Sequence, residues 1–500
     1  MAKLSDETAL ILAIDQGTTS SRAIVFDSRA NIICTEQAEF PQYFPDNAWV
    51  EHDPEDIWKT SLCCAQRALA YAESSVTGGK VTAIGISNQR ETTLIWNKKT
   101  GEPIYRAIVW QDRRTAKYCN ELKRQGFEPM VAERTGLRLD PYFSASKITW
   151  LLDTIPGARE RAENGELCFG TVDTFLLYRL SGGQAHKTDA TNASRTALYN
   201  IHTGEWDDEL LKLFNIPRAL LPEVCDTAAD FALTEPSLFS RAIPVCAMVG
   251  DQQAAAFGQC CFETGDAKST YGTGAFVLLN TGDKVIQSQH QLLSTVAVQL
   301  NGRRQYALEG SIFVAGSAIQ WLRDGLGIID NAEQTESYAR DLRSNDGVYL
   351  VPAFTGIGAP YWDADARGAL YGITRSTGPA HIARASLESV AYQTFDLLEA
   401  MSADAGALSS LKIDGGMLAN TWFVEFLANI VDLKLERPVC NESSALGAAY
   451  LAGLQAGIFQ NQDQLRQLHQ CSARIIPHMT DVNRQSLLAD WHRAVKRTLM

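Results

Sequence analysis

The sequence predicts an α/β protein built from two related halves. Apolar runs with strand character alternate with helical runs along the 500 residues. Residues 81–86 and 93–96 are typical of strands, whereas residues 54–71 have helical spacing behind Asp53, a residue type that caps helices. Two similar glycine-threonine turns, about half the chain apart, indicate an internal duplication.

The first element is a strand pair with a polar tip, over residues 10–27. Gly17 lets the backbone approach a ligand closely, and hydroxyl groups stand beside free backbone N–H groups, which suits a phosphate chain. These hydroxyls belong to Thr18, Thr19 and Ser20. Asp15 ends the first strand, where a carboxylate can hold a divalent cation. Taken alone, the motif also fits an ordinary turn between core strands.

A later strand, residues 245–250, delivers Asp251 and Gln252 ahead of a small-residue helix. In α/β folds the carboxyl ends of strands open into the ligand crevice, so we expect Asp251 at a reacting centre. Position alone fits a helix N-cap equally well, and one residue can do both.

Two further glycine turns resemble the opening tip. The first contains Thr273 and runs into a strand, and the second, around Gly416 and Asn420, follows one strand and precedes a helix. Their backbone N–H groups can meet the phosphates or sugar of a nucleotide. The sequence has no Walker A motif and no dinucleotide fingerprint, so neither a P-loop ATPase nor a dinucleotide oxidoreductase is supported.

The domain boundary is predicted near Asp251. We expect an N-terminal domain over residues 1–252, carrying the first phosphate loop, and a nucleotide-binding C-terminal domain over residues 253–500. The amphipathic segment 482–499 is predicted to pack on the second domain.

A second group of residues has the character of a polyol pocket. Arg90 and Glu91 lie at a polar turn and offer a fork of donors and an acceptor to neighbouring hydroxyls, although a solvated surface ion pair is the simpler alternative. Trp110 and Tyr142 add aromatic rings with polar neighbours, which are otherwise typical core anchors.

Composition favours a small-molecule role. A formal charge of −13 disfavours nucleic acid and anionic membranes as partners. The 11 cysteines are scattered and predicted to be reduced. Because no apolar stretch resembles a signal peptide or a membrane span, we expect a cytoplasmic location and no membrane insertion.

Taken together, these motifs resemble the FGGY carbohydrate kinases over most of the chain, and within that family the members that act on glycerol. The resemblance includes residues 15–22, 88–93, 109–115, 250–255, 271–276, 315–321, 358–368 and 368–388. It implies two actin-like (ribonuclease H-like) ATPase domains that close over an interdomain active-site cleft. It also implies transfer of the ATP γ-phosphoryl group to a terminal hydroxyl of glycerol, giving sn-glycerol 3-phosphate, the first step of glycerol catabolism.

The resemblance assigns residues to three sites. Glycerol would be held by Arg90, Glu91, Tyr142, Asp251 and Gln252, with Trp110 and Phe276 as apolar walls. ATP would meet Thr18, Thr19, Ser20, Arg22, Thr273, Gly316, Gln320, Gly416 and Asn420, and Mg²⁺ would lie near Asp15. Asp251 would be the general base, and the family habit implies a dimer or tetramer.

Two alternatives stay open at this point. The acceptor could be a pentulose, gluconate or another polyol, although two aromatic walls favour a small one. The chain could also be a non-metabolic actin-like ATPase, a role that makes no use of the Arg90, Glu91 and Asp251 set.

Overall fold

The structure is a computed structural model that describes residues 8–354, 356–363 and 365–500. Its first half forms, in order, β1 (Ala9–Gln16), β2 (Ser20–Phe26), β3 (Ile32–Glu39), β4 (Glu51–His52), α1 (Pro54–Ser75), β5 (Lys80–Asn88), β6 (Leu94–Asn97), β7 (Ala107–Ile108), α2 (Ala116–Arg124), α3 (Glu128–Thr135), α4 (Ser144–Thr154), α5 (Ala158–Glu163), β8 (Leu167–Gly170), α6 (Val172–Leu180), β9 (Lys187–Asp189), α7 (Ala190–Ala193), β10 (Tyr199–Asn200), β11 (Glu205–Trp206), α8 (Asp208–Phe214), β12 (Glu223–Cys225), β13 (Ala228–Leu233), α9 (Pro236–Phe239), β14 (Pro244–Gly250) and α10 (Asp251–Gly258).

The second half continues with β15 (Ala267–Tyr271), β16 (Ala275–Gly282), β17 (Leu293–Leu300), β18 (Arg303–Ile312), α11 (Gly316–Gln320), α12 (Gln334–Asp341), β19 (Tyr349–Val351), β20 (Ala369–Tyr371), α13 (Pro379–Ala405), β21 (Ser410–Asp414), α14 (Thr421–Val431), β22 (Lys434–Pro438), α15 (Ser443–Gln455), α16 (Gln462–Leu468), β23 (Cys471–Ile475) and α17 (Asp481–Thr498). A π-helical turn, Trp321–Gly325, extends α11, and a 3₁₀ turn, Gly416–Ala419, follows β21.

Two large sheets repeat one topology, which explains the duplicated turns of the sequence. The first has the order β13-β14-β5-β1-β2-β3 and the second β17-β18-β16-β15-β21-β22-β23. In each, an antiparallel meander leads into two parallel strands and an antiparallel edge strand. The α/β prediction is therefore confirmed.

The first sheet is covered on both faces. On β1, Leu10, Leu12 and Ile14 face a core shared with α1 and α6, whereas Ile11 and Ala13 face one shared with α10 and α15. Because side chains alternate along a strand, this pattern buries nearly every residue of β1. Helix α15 comes from late in the chain, so the two halves interlock.

Local signals account for several element ends. Helix α1 begins after Asp53, whose carboxylate accepts a hydrogen bond from the Glu55 backbone at 2.9 Å, as the sequence predicts. The predicted boundary between residues 252 and 253 falls inside α10, and the two-domain division at that point stays a prediction.

Two further expectations are met. Helix α17 packs on the second half, where Asp396 of α13 accepts a hydrogen bond from Trp491 Nε1 at 2.8 Å. The cysteines in the described ranges are all free thiols. Among residues 8–354, 356–363 and 365–500, every helix is too short or too polar to cross a bilayer.

Candidate active site

The opening tip between β1 and β2 is a closed turn whose hydroxyls have different partners. The Gly17 N–H donates to the Ser20 carbonyl at 2.9 Å, which fixes the turn. Thr18 Oγ1 accepts a hydrogen bond from Trp110 Nε1 at 3.0 Å, and Ser20 Oγ accepts one from Gln37 at 3.0 Å. Thr19 is exposed at the tip. The tip is thus joined directly to one of the predicted acceptor walls.

Asp15 is a poorly solvated carboxylate at the end of β1. Burial raises its pKa to about 6, against the lowering effect of Arg22 and with a further rise from Asp251. Arg22 itself forms an ion pair with Glu442 from the second half. A divalent cation would offset this unfavourable negative charge, and Mg²⁺ commonly binds through one or two carboxylates together with substrate phosphates.

Asp15 is suited to be one ligand of a divalent metal ion. Within the described residues, no cluster of three or more His, Cys, Asp or Glu side chains is arranged to hold a metal. Asp15 fits as a single protein ligand, with the remaining oxygen ligands supplied by phosphates and water.

The turn after β5 directs Arg90 and Glu91 into one buried site. Strand β5 ends at Asn88, and Glu91 adopts a φ of 59°, a left-handed conformation that is costly for a residue with a Cβ. Arg90 is 3% exposed and Glu91 is 1% exposed. The alternative of a solvated surface ion pair is therefore wrong.

Both residues are held by a buried ionic network. Glu309 of β18 accepts hydrogen bonds from Arg90 Nη1 at 2.5 Å, Arg90 Nη2 at 3.1 Å and Arg195 Nη2 at 2.7 Å. Arg195 Nε in turn donates to Glu91 Oε1 at 2.6 Å. Burial raises the pKa of Glu91, which Arg195 and Arg90 counteract. Sequence analysis assigns the hydrogen-bond donors of Arg90 to the polyol acceptor. The structure shows that much of this donor capacity is used inside the protein.

Asp251 is the first residue of α10, directly after β14. Its Oδ1 atom accepts a hydrogen bond from the Gln252 backbone at 2.7 Å and lies 3.3 Å from Arg90 Nε. Oδ2 has no hydrogen bond to any described residue. Burial raises the pKa of Asp251, although Arg90 and Lys268 lower it. The carboxylate thus keeps one free, basic oxygen.

Gln252 is held by a buried lysine. Lys268 Nζ of β15 donates to Gln252 Oε1 at 2.5 Å and to Thr270 Oγ1 at 2.8 Å. Burial lowers the pKa of Lys268 against the raising effects of Asp414 and Asp251. The amide NH₂ of Gln252 is consequently the end available to a ligand.

Three aromatic rings from both halves meet beside these polar groups. The Trp110 ring lies 5.7 Å from that of Tyr142 and 6.2 Å from that of Phe276, both edge to face. The Arg90 guanidinium carbon lies 6.0 Å from the centre of the Phe276 ring. Trp110 is only half-buried, so it is not a simple core anchor. All seven predicted acceptor residues are therefore joined by contacts or by adjacency in the chain.

The predicted nucleotide residues of the second half line one cavity of about 380 Å³. Its wall includes Thr273, Gly316, Gln320, Gly416 and Asn420, and also residues that the sequence interpretation missed, namely Ile319, Arg323, Thr335, Glu336 and Met417.

Asn420 is already committed within this wall. It caps α14 by accepting a hydrogen bond from the Phe423 backbone at 2.9 Å, and it donates to Thr335 at 3.2 Å. Asn420 therefore shapes the wall of the cavity. The other nucleotide predictions, Thr18, Thr19, Ser20 and Arg22, lie on the opening hairpin instead.

Comparison with known protein families gives a match in each half of the chain. Residues 10–258 match the N-terminal domain of the FGGY family of carbohydrate kinases, and residues 267–456 match its C-terminal domain. The chain belongs to the FGGY family of carbohydrate kinases. The family assignment predicted from the motifs is therefore confirmed.

Individual FGGY proteins are similar over almost the full length. The chain is 58% identical over 492 residues to a glycerol kinase of Rhodospirillum centenum, with 98% of each chain covered. It is 56% identical over 487 residues to glycerol kinase 1 of Pseudomonas aeruginosa, covering 97% of this chain and 98% of the relative.

Solved structures agree on the fold. The crystal structure of Plasmodium falciparum glycerol kinase with ADP superposes with a TM-score of 0.93 at 36% identity, covering 99% of both chains. A gluconate kinase of Lactobacillus acidophilus shares the fold with a TM-score of 0.88 at 20% identity, covering 98% of both chains. The actin-like two-domain architecture of FGGY kinases is thus the fold of this chain.

Glu309 and Arg195 belong to the buried ionic network beside the candidate site, and sequence analysis missed both. Both are fully buried, and they lie far from Arg90 in the sequence. One signal was present: Glu309 is a lone charge in the otherwise apolar run Tyr306-Ala-Leu-Glu-Gly-Ser-Ile312. A charge inside a buried strand needs a partner, although sequence alone does not say which.

Proposed function

We propose that this FGGY kinase transfers the γ-phosphoryl group of ATP to a terminal hydroxyl of glycerol, giving sn-glycerol 3-phosphate and ADP. The observation that carries the proposal is the Asp251 carboxylate, whose Oδ2 atom has no described partner while Oδ1 is fixed by Gln252 and Arg90. An alcohol must lose its proton as the O–P bond forms, so a carboxylate within hydrogen-bond reach is the expected general base.

The surrounding residues suit a small triol. Arg90, Glu91 and Gln252 offer polar groups to its hydroxyls, and Tyr142 adds a phenolic hydroxyl with no hydrogen-bond partner among the described residues. The Trp110 and Phe276 rings would cover its carbon chain. The glycerol kinase names of relatives at 56 to 58% identity support the same acceptor.

The phosphate side would be served by both halves. We propose that the adenine nucleotide occupies the cavity lined by Thr273, Gly316, Gln320 and Gly416, with its phosphates directed to the opening tip. Mg²⁺, held at Asp15 when bound with ATP, would neutralise phosphate charge. Closure of the two lobes over the acceptor would exclude water, the competing nucleophile.

A coupled assay tests this function. ADP release is measured with Mg²⁺ and ATP in the presence of glycerol, a pentulose, gluconate or no acceptor, and the product is identified by ³¹P NMR. We expect glycerol to give by far the highest kcat/KM and the acceptor-free rate to be small. Preference for a ketose would overturn the glycerol assignment, and a rate independent of acceptor would favour a non-metabolic ATPase.

A further inference from the structure

Glu309 lies at the centre of the charged network without facing the proposed acceptor position. It is fully buried on β18, in the second half of the chain, and each of its oxygens is occupied by a guanidinium. Oε2 binds Arg90 at 2.5 Å, and Oε1 binds Arg90 at 3.1 Å and Arg195 at 2.7 Å. Its hydrogen bonds therefore reach the pocket through these two arginines, and its negative charge also acts on Asp251 across space.

Arg90 is shared unequally among three carboxylates. Two of its nitrogens bind Glu309, whereas a single nitrogen, Nε, lies 3.3 Å from Asp251 Oδ1 and 3.9 Å from Glu91 Oε1. A guanidinium carries one unit of charge, so its pairing with Glu309 reduces the stabilisation that it gives to ionised Asp251. Removing the charge of Glu309 would leave Arg90 with Asp251 and Glu91 as its carboxylate partners, so ionised Asp251 would be stabilised more strongly.

We propose that Glu309 is a positioning residue, which fixes Arg90 and Arg195 in the acceptor pocket and keeps Asp251 basic enough to accept the hydroxyl proton. This inference rests on the proposed role of Asp251 as general base. Glu309 lies in the second half of the chain, whereas Arg90 lies in the first. The basicity of Asp251 therefore depends on how the two halves are positioned.

The other charged groups around Asp251 do not replace Glu309. Lys268 of β15 lowers the pKa of Asp251, which is the opposite effect to that of Glu309. Asp15 of β1 interacts electrostatically with Asp251. Glu91 lies 3.9 Å from Arg90, and Glu442 acts on Asp15. Helix α15, which packs along α10, contains no Asp, Glu, Lys, Arg or His. Burial favours the neutral form of Glu309, yet Arg195 and Arg90 hold its pKa below the ordinary value. Glu309 therefore stays ionised at neutral pH.

The test compares Glu309→Gln, which removes the charge but keeps the shape, with Glu309→Asp, which keeps the charge but shortens the reach. The measured quantity is kcat/KM for glycerol between pH 5 and 9. For Glu309→Gln we expect the acid limb, where the base becomes protonated, to move to lower pH by about one unit, and kcat at pH 8 to fall about tenfold.

For Glu309→Asp we expect an unmoved acid limb and a KM for glycerol raised at least about threefold, because the shorter side chain loses one arginine hydrogen bond. Glu388→Gln is the matched control. Glu388 is also buried and paired with an arginine, Arg384 at 2.7 Å, but it lies on α13 away from the pocket. Its acid limb should coincide with that of the wild type.

The outcomes separate two failures. If the wild type does not phosphorylate glycerol, the proposed function fails. If the wild type is active and Glu309→Gln has the wild-type acid limb, only the role of Glu309 is overturned. If Glu309→Gln does not fold, Glu309→Asp decides: a raised KM with an unmoved limb supports the proposal, and a wild-type KM overturns it.

Discussion

At the scale of single residues, most polar side chains of the site already have hydrogen-bond partners within the protein. Arg90, Glu91 and Gln252 each have protein partners that fix their side chains. The conformational entropy of these side chains is lost on folding, so less is lost when a ligand binds. Asp251 keeps one oxygen without a described partner. This contrast identifies the atom at which chemistry is expected.

Asp251→Asn tests that atom. The amide keeps the size of the side chain and can still accept from the Gln252 backbone, but it cannot take a proton. We expect kcat to fall about 10²- to 10⁴-fold while the Kd for ATP changes less than about twofold. Rapid-quench turnover and calorimetry give the two quantities. Asp208→Asn, which removes a charge from an exposed ion pair, is the control. A near-normal kcat for Asp251→Asn would show that Asp251 is not the general base.

Trp110 has two contacts that substitutions can separate. Trp110→Ala removes the wall, so KM for glycerol should rise more than KM for ATP. Trp110→Phe keeps a wall but loses the 3.0 Å hydrogen bond to Thr18, worth about 1 kcal/mol. Because Thr18 is predicted to contact ATP, we expect KM for ATP to rise about fivefold in this variant, with KM for glycerol near normal. Equal changes in both constants for Trp110→Ala would indicate a purely structural Trp.

At the scale of elements, α10, which carries Asp251, packs closely on α15. A Cβ placed on Gly447 would lie 1.9 Å from the Ala254 carbonyl oxygen, and one on Gly258 would lie 2.1 Å from the Ser443 carbonyl oxygen. The helices thus pack backbone against backbone. Because α10 carries Asp251 at its first position, this packing also sets the position of the proposed general base.

Gly447→Ala should therefore destabilise the protein. In an unconstrained helix this change is favourable by about 1 kcal/mol, whereas here the overpacking should lower the free energy of unfolding by about 1 to 3 kcal/mol. Urea unfolding measures it, and kcat should fall as α10 is displaced. Gly378→Ala is the control, because a Cβ there meets nothing within 4 Å. Unchanged stability of Gly447→Ala would mean that the helices separate without cost.

Sequence patterns succeeded where the cause is local. The hairpins β1–β2 and β15–β16, the strand before Asp251 and the cap at Asp53 all follow from neighbouring residues. The helix predicted over residues 54–71 continues to Ser75, since nothing in its last turn stops it earlier. The Arg90–Glu309–Arg195 network was not predictable, because it depends on how distant strands align.

At the scale of the whole molecule, ionic contacts join the halves across the site. One is the pair between Arg22, beside the opening tip, and Glu442, just before α15. Their side chains are 26% and 31% exposed, so solvent and ligands can reach them. If Arg22 serves the phosphates, as predicted, the nucleotide competes with Glu442 for it.

Glu442→Gln tests this competition. Loss of the carboxylate charge should release Arg22 and lower KM for ATP about two- to fivefold, in keeping with the modest strength of an accessible ion pair. Arg22→Gln should raise the same constant. Steady-state kinetics at saturating glycerol measure both. An ATP KM unchanged in both variants would contradict a phosphate role for Arg22.

The late position of α15 has a consequence for biosynthesis. This helix completes one apolar face of the first sheet, yet the ribosome makes every strand of the second sheet except β23 before it, a delay of roughly ten to forty seconds at ordinary elongation rates. During that interval the nascent chain exposes Ile11, Ala13 and their neighbours. Emerging polypeptides of this enzyme should accordingly need holdase chaperones, and premature stop codons ahead of Ser443 should yield aggregates instead of a half-sized folded product.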